Sequence, residues 1–148
     1  MQTKKFSVAT PADFAVVIEH ILSVLPTQDT AQLICLAGDL GAGKTTFTQQ
    51  LAAHLGVTEP VTSPTFGIMK KYELADHPQF EFLVHIDAYR IEDLSEVGPL
   101  RLQEVFAQPK TLICLEWPEN IAAVLPPSRV EVSIVIGAGE VRTVTVRA

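Results

Sequence analysis

Cysteine is scarce, basic residues are outnumbered, and no apolar run is long enough to span a membrane; each shortage removes a class of function. Only two of the 148 residues are cysteine, Cys35 and Cys114, and both sit in the tetrapeptide Leu-Ile-Cys-Leu. They read as small apolar residues of buried strands. A disulfide would need those strands to be neighbours in an oxidising compartment, whereas a cytosolic chain is expected to keep both as thiols. Four histidines, His20, His54, His77 and His85, have no ligand spacing with cysteine or with each other, which argues against zinc. Lys and Arg number 11 against 17 Asp and Glu, a net charge of −6. That balance argues against a broad nucleic-acid-binding face, though RNA can still be reached through a basic partner. No secretory signal is legible at the start, so a cytoplasmic protein with no membrane contact is expected. Arginines are scattered, at 90, 101, 129, 142 and 147, so no arginine-rich lid of the small-molecule kinase type is apparent. No Asn-Lys-x-Asp guanine-reading segment occurs either. The length is that of one domain, residues 1–148.

What the chain does have is Gly38-Asp39-Leu40-Gly41-Ala42-Gly43-Lys44-Thr45-Thr46. It matches G-x-x-x-x-G-K-[ST], the P-loop or Walker A pattern. Glycine at 38, 41 and 43 permits backbone conformations that a Cβ forbids, so successive N–H groups can turn inward around a phosphate. Asp39, Leu40 and Ala42 fill the loop between them. Lys44 supplies a point charge to the β- and γ-phosphates, and the Thr45 hydroxyl can ligate Mg²⁺. Thr46 is expected to open the following helix, whose amides and dipole add to the anion site. The flanks agree. Gln32 to Ala37 reads as a buried strand, and Phe47, Leu51, Ala52 and Leu55 fall at helical spacing before Gly56. Strand, glycine loop and helix in that order imply a nucleoside triphosphate site.

The remaining chain reads as a wound α/β sheet. Phe6 to Ala9 is a strand candidate, and Thr10-Pro11-Ala12-Asp13 starts a helix that runs to Pro26. Val57 to Gly67 is a loop with two prolines, which reads either as an ordinary surface loop or as a switch-like segment in which a hydroxyl such as Thr65 could meet a γ-phosphate or its metal. Ile68 to Leu74 and Phe80 to Ile86 suggest a hairpin, and Asp93 to Ala107 a helix broken near Gly98-Pro99. Two apolar strands end in a carboxylate: one at Asp87, the other, Thr111 to Leu115, at Glu116. A carboxylate there is costly unless it has a partner, and beside a P-loop the partner is Mg²⁺ or the attacking water. Either carboxylate satisfies either role. Pro118 to Val124 is a short helix, and Arg129 to Ile136 with Val141 to Val146 forms a hairpin about Gly137-Ala138-Gly139-Glu140.

Taken together, Gly38 to Thr46, Ser63-Pro64-Thr65-Phe66, His85-Ile86-Asp87-Ala88-Tyr89-Arg90 and Glu116-Trp117-Pro118-Glu119 resemble the signatures of the TsaE (YjeE) family, over essentially the whole chain. Ala88 and Phe66 stand where Leu and Tyr are common, which removes no chemistry. The resemblance implies a three-layer P-loop NTPase-like fold, a central mostly parallel sheet with added antiparallel strands and a C-terminal hairpin. It also implies an Mg²⁺-dependent ATPase, weak alone, required for threonylcarbamoyladenosine modification of tRNA beside the anticodon. Its partners would be a TsaB–TsaD heterodimer, with tRNA met only through that complex.

Carried over by position, Lys44 and Thr45 match the phosphate lysine and metal hydroxyl, and Thr65 the switch-like threonine. Asp87 matches the essential aspartate, here assigned to the water, and Glu116 the Mg²⁺-side glutamate. Trp117 matches a tryptophan beside the site and Arg142 an arginine near the nucleotide, while Thr10 or Asp13 would border the adenine. A stand-alone kinase and a nucleotide-gated assembly module are the rival readings.

Overall fold

Alternation along the strands sorts the apolar residues onto two faces of one sheet. In the computed structural model, which describes residues 2–39, 41–62, 69–96, 98 and 101–148, the strands are β1 (Thr3–Val8), β2 (Gln32–Ala37), β3 (Met69–Glu73), β4 (Phe82–Asp87), β5 (Thr111–Glu116), β6 (Val130–Ile136) and β7 (Arg142–Arg147). They form a seven-stranded sheet in the order β1-β7-β6-β2-β5-β4-β3. Strands β6, β2, β5 and β4 run parallel to one another, and β3, β7 and β1 add antiparallel pairings at the flanks. All six residues of β5 are buried, as expected of a central parallel strand covered on both faces.

Helices α1 (Phe14–Val24) and α2 (Lys44–His54) cover one face, packing Phe14, Ile18, Ile21, Phe47 and Leu51 with Ile34, Leu36, Leu112 and Cys114. Phe14 meets Phe47 edge to face, with centroids 5.5 Å apart. On the other face, α3 (Leu102–Ala107) and the 3-10 segment Pro118–Val124 bring Leu102, Phe106 and Ile121 onto Leu33, Cys35, Ile113 and Leu115. Residues two apart on a strand share a face, so the two cores follow from period-two alternation.

That register also settles the cysteines. Their strands are neighbours, with Ile34 opposite Cys114 and Cys35 opposite Leu115. The two thiols therefore point to opposite sides of the sheet, and both are free.

Four elements differ in bounds or in type from the expectation drawn from sequence. The helix after the glycine loop opens at Lys44, not Thr46, because Gly43 already serves as its N-cap. The first strand starts at Thr3 because β7 pairs with it along its whole length, recruiting Thr and Lys that apolar patterning passes over. Among the described residues of the expected helix over 93–107 are a 3-10 turn at Leu94–Glu96 and the shorter helix α3, with Arg101 in a left-handed conformation (φ 51°) just before α3. Pro118–Val124 is 3-10 in type, kinked at Ile121. No helix among the described residues is long and apolar enough to cross a membrane.

Candidate active site

The loop leaves β2 at Gly38 and enters α2 at Lys44. Two glycines in it are structurally required. A Cβ on Gly38 (φ +156°) would lie 2.6 Å from the Ile134 carbonyl oxygen of β6, so only glycine lets the loop pass that strand. Gly43 takes φ +115°, and a Cβ there would meet Arg142 Nε at 3.2 Å. Ala42 N–H donates to Asp39 O at 3.0 Å and Phe47 N–H to Gly43 O at 2.8 Å. The amides of Lys44, Thr45 and Thr46 occupy the first turn of an eleven-residue helix, where no preceding helical carbonyl can accept them. Glycine turns feeding a helix N-terminus form an anion cradle.

Lys44 is buried, and its side chain turns back over the loop. Its Nζ donates to Gly38 O at 2.6 Å and lies 3.5 Å from the centroid of the Trp117 ring. Burial lowers its pKa below the usual lysine value, while Glu116, Glu119, Asp87 and Asp39 pull the other way. Trp117 follows β5 in a left-handed conformation (φ 60°) and packs on Tyr89, with ring centroids 5.1 Å apart.

Beneath the loop, Asp87 ends β4 and Glu116 ends β5, and the two stand opposite each other in register. Strand alternation puts both on the α2 face of the sheet. Asp87 Oδ1 accepts from Tyr89 N–H at 3.0 Å. Glu116 is 3% exposed and its Oε2 lies 2.5 Å from His85 Nε2. Behind them Thr48 Oγ1 donates to Lys44 O at 3.0 Å and lies 3.4 Å from Cys114 Sγ, fastening α2 to β5.

A cleft borders the loop on its other side, lined by Val8, Ala9, Thr10, Pro11, Phe14, Gly43, Thr46 and Arg142. Arg142 Nε donates to Ala42 O at 2.7 Å and its Nη1 to Glu140 O at 3.0 Å. Asp13 does not face this cleft as a lining residue. Its Oδ2 accepts from Ala9 N–H at 2.9 Å and Thr10 N–H at 3.0 Å, and these bonds hold its carboxyl below the usual carboxylate range.

The candidate residues Asp39, Gly41, Ala42, Gly43, Lys44, Thr45, Thr46, Asp87, Glu116, Trp117 and Arg142 thus belong to one end of the sheet. Leu40 and Thr65 lie outside the described residues. Among those described, no group of three or more His, Cys, Asp and Glu is placed to hold a metal by itself. That donor set does fit Mg²⁺, which takes one or two protein oxygens and completes its shell with phosphates and water. His85 is the residue that sequence reasoning passed over. Its signal was a lone polar side chain in an apolar strand, two residues from Asp87 and so on the same face.

Residues 8–144 match the family described as Threonylcarbamoyl adenosine biosynthesis protein TsaE. The chain belongs to the TsaE family. Among curated relatives, a tRNA threonylcarbamoyladenosine biosynthesis protein TsaE of Bacillus subtilis is 41% identical over 116 residues, 78% of this chain and 69% of that protein. A protein of the same name in Streptomyces coelicolor is 42% identical over 120 residues, 77% of this chain and 78% of its own length. The crystal structure of Bacillus subtilis YdiB superposes with a TM-score of 0.73 at 28% identity, covering 98% of this chain and 84% of that one. The family assignment spans the glycine loop, both strand-end carboxylates and Arg142.

Proposed function

We propose that this chain binds ATP with Mg²⁺ at the 38–46 loop, hydrolyses it, and acts in threonylcarbamoyladenosine formation on tRNA as the ATPase partner of a TsaB–TsaD pair in the cytoplasm. The observation that carries the reading is the buried Lys44 ammonium within electrostatic influence of Asp87 and Glu116, a register-matched carboxylate pair under a glycine-rich cradle. A lysine for phosphate on one side and carboxylates for metal and water on the other is the division of labour phosphoryl transfer needs.

Loop amides from Gly41 to Thr46 hold the phosphates, and Lys44 exchanges its contact with Gly38 O for the β- and γ-oxygens. Thr45 and Glu116 would hold Mg²⁺, which would supply charge neutralisation for the phosphates. Asp87, with one oxygen anchored by the Tyr89 amide, orients water for in-line attack on the γ-phosphate. The cleft beside Gly43 and Thr46 takes the base, with Thr10 in its lining. The chain's net charge of −6 suits access to tRNA through protein partners.

The test is phosphate release from Mg·ATP by the purified protein, alone and with TsaB–TsaD added. Slow turnover that rises with the partners is the expected result. Equal rates with no association would move the assignment to a kinase. Lys44→Ala is expected to lose ATP binding. Asp87→Ala and Glu116→Ala are expected to keep most of it and lose about a hundredfold or more in turnover.

A further inference from the structure

One buried polar side chain under the loop has no part in the steps above. His85 has none of its surface exposed and sits in a strand otherwise made of Phe82, Leu83, Val84 and Ile86 before Asp87. In the parallel ladder it lies opposite Cys114, one same-face position back from Glu116 on β5. Its Nε2 meets Glu116 Oε2 at 2.5 Å, while its Nδ1 has no hydrogen-bond partner among the described residues. A buried imidazole with one nitrogen unsatisfied costs free energy, and an apolar side chain in the same strand would avoid that cost. Packing therefore does not account for histidine here. The contact with Glu116 does.

We infer that His85 is a positioning residue for the Glu116 carboxylate, an inference that rests on reading Glu116 as the Mg²⁺-side acid. An ionised carboxylate only accepts hydrogen bonds, so Nε2–H is the donor. The terminal torsion of a glutamate is broad and roughly two-fold, so a free carboxylate swings. Donation to Oε2 from a side chain immobilised in the core pins that torsion. It leaves Oε1 as the oxygen offered to the metal or its water. Groups that orient a metal-side ligand in this way typically influence metal affinity by 10–100-fold.

The experiment measures Mn²⁺ bound in the protein–ADP complex by electron paramagnetic resonance, with ADP affinity without metal as the companion measurement. His85→Leu fills the space without a donor. His85→Asn stays polar but is too short to reach Glu116, and it serves if the leucine variant does not fold. His85→Gln extends an amide donor toward the position of Nε2. Leucine or asparagine is expected to weaken Mn²⁺ retention by about tenfold or more, leaving metal-free ADP affinity unchanged, and glutamine to restore most of it. The Mg²⁺ concentration for half-maximal turnover should move in parallel. Wild-type Mn²⁺ retention in both the leucine and asparagine variants overturns the role of His85. Unchanged retention in Glu116→Gln instead overturns the reading of Glu116 beneath it, so the two failures are told apart.

Discussion

Arg142 Nε donates to the Ala42 carbonyl oxygen at 2.7 Å, so a side chain 100 residues downstream holds the inner turn of the glycine loop. The same guanidinium reaches Glu140 O and lies against Gly43, which makes it a brace between β7 and the cradle. A planar fork with fixed donors can serve two carbonyls at once; a lysine ammonium on a flexible stem holds neither in place. Arg142→Ala and Arg142→Lys should therefore both weaken nucleotide binding, by about tenfold, the worth of one hydrogen bond to a charged group. Titration with a fluorescent ADP analogue reads this directly. Wild-type affinity in the lysine variant would mean that charge alone matters and that the fork is incidental.

Gly38 and Gly41 both have positive φ but differ in what surrounds them. A Cβ at Gly38 would press on the Ile134 carbonyl at 2.6 Å, whereas at Gly41 nothing lies within 4 Å. Gly41→Ala should then cost about 1–2 kcal/mol, the conformational penalty alone. Gly38→Ala adds a backbone clash and should exceed it by a further 1 kcal/mol or more, on the order of other strained core sites. Urea unfolding of the two variants decides the matter. Equal midpoints would show that the loop can draw away from β6.

Much of this site was legible in the chain before any coordinates. Gly38 to Thr46 announces its chemistry by local spacing, and Asp87 and Glu116 stand out because each ends an apolar run. What spacing could not reveal was that β4 and β5 are neighbours in register, which sets the carboxylates side by side. Strand order depends on contacts far apart in sequence. The same holds for His85, whose meaning comes from a partner 31 residues away, and for Arg142, whose acceptor lies across the sheet. The break before α3 was foreshadowed by Gly98-Pro99, but the left-handed Arg101 that precedes α3 carries no such mark.

Both thiols should be inert in the folded protein. Burial pushes the Cys35 thiol up to about 12, and raises that of Cys114 further. Neither is a thiolate at pH 8, so an aromatic disulfide reagent should label neither until the chain unfolds. Cys35 borders a cavity on the face of the sheet opposite α2, so on partial opening it should react before Cys114. Rapid labelling of Cys114 in the native protein would contradict its place between α2 and β5.

Asp13 ties its acid sensitivity to the rim of the cleft. Its carboxylate accepts from the Ala9 and Thr10 amides, and both bonds lower its folded pKa below the ordinary 3.8. A depressed carboxylate contributes stability that is complete above its unfolded pKa and is lost as pH falls through the lower folded value. Asp13→Asn should therefore be less stable than wild type at pH 7, and the gap should close below about pH 3.8. Because Ala9 and Thr10 line the cleft beside Gly43, the asparagine variant should also bind ADP more weakly at neutral pH. Urea midpoints of both proteins from pH 7 down to pH 3 trace the difference. A gap that stays constant over that range would mean that the loss in the asparagine variant comes from the shape of its side chain, and that the charge of Asp13 contributes nothing.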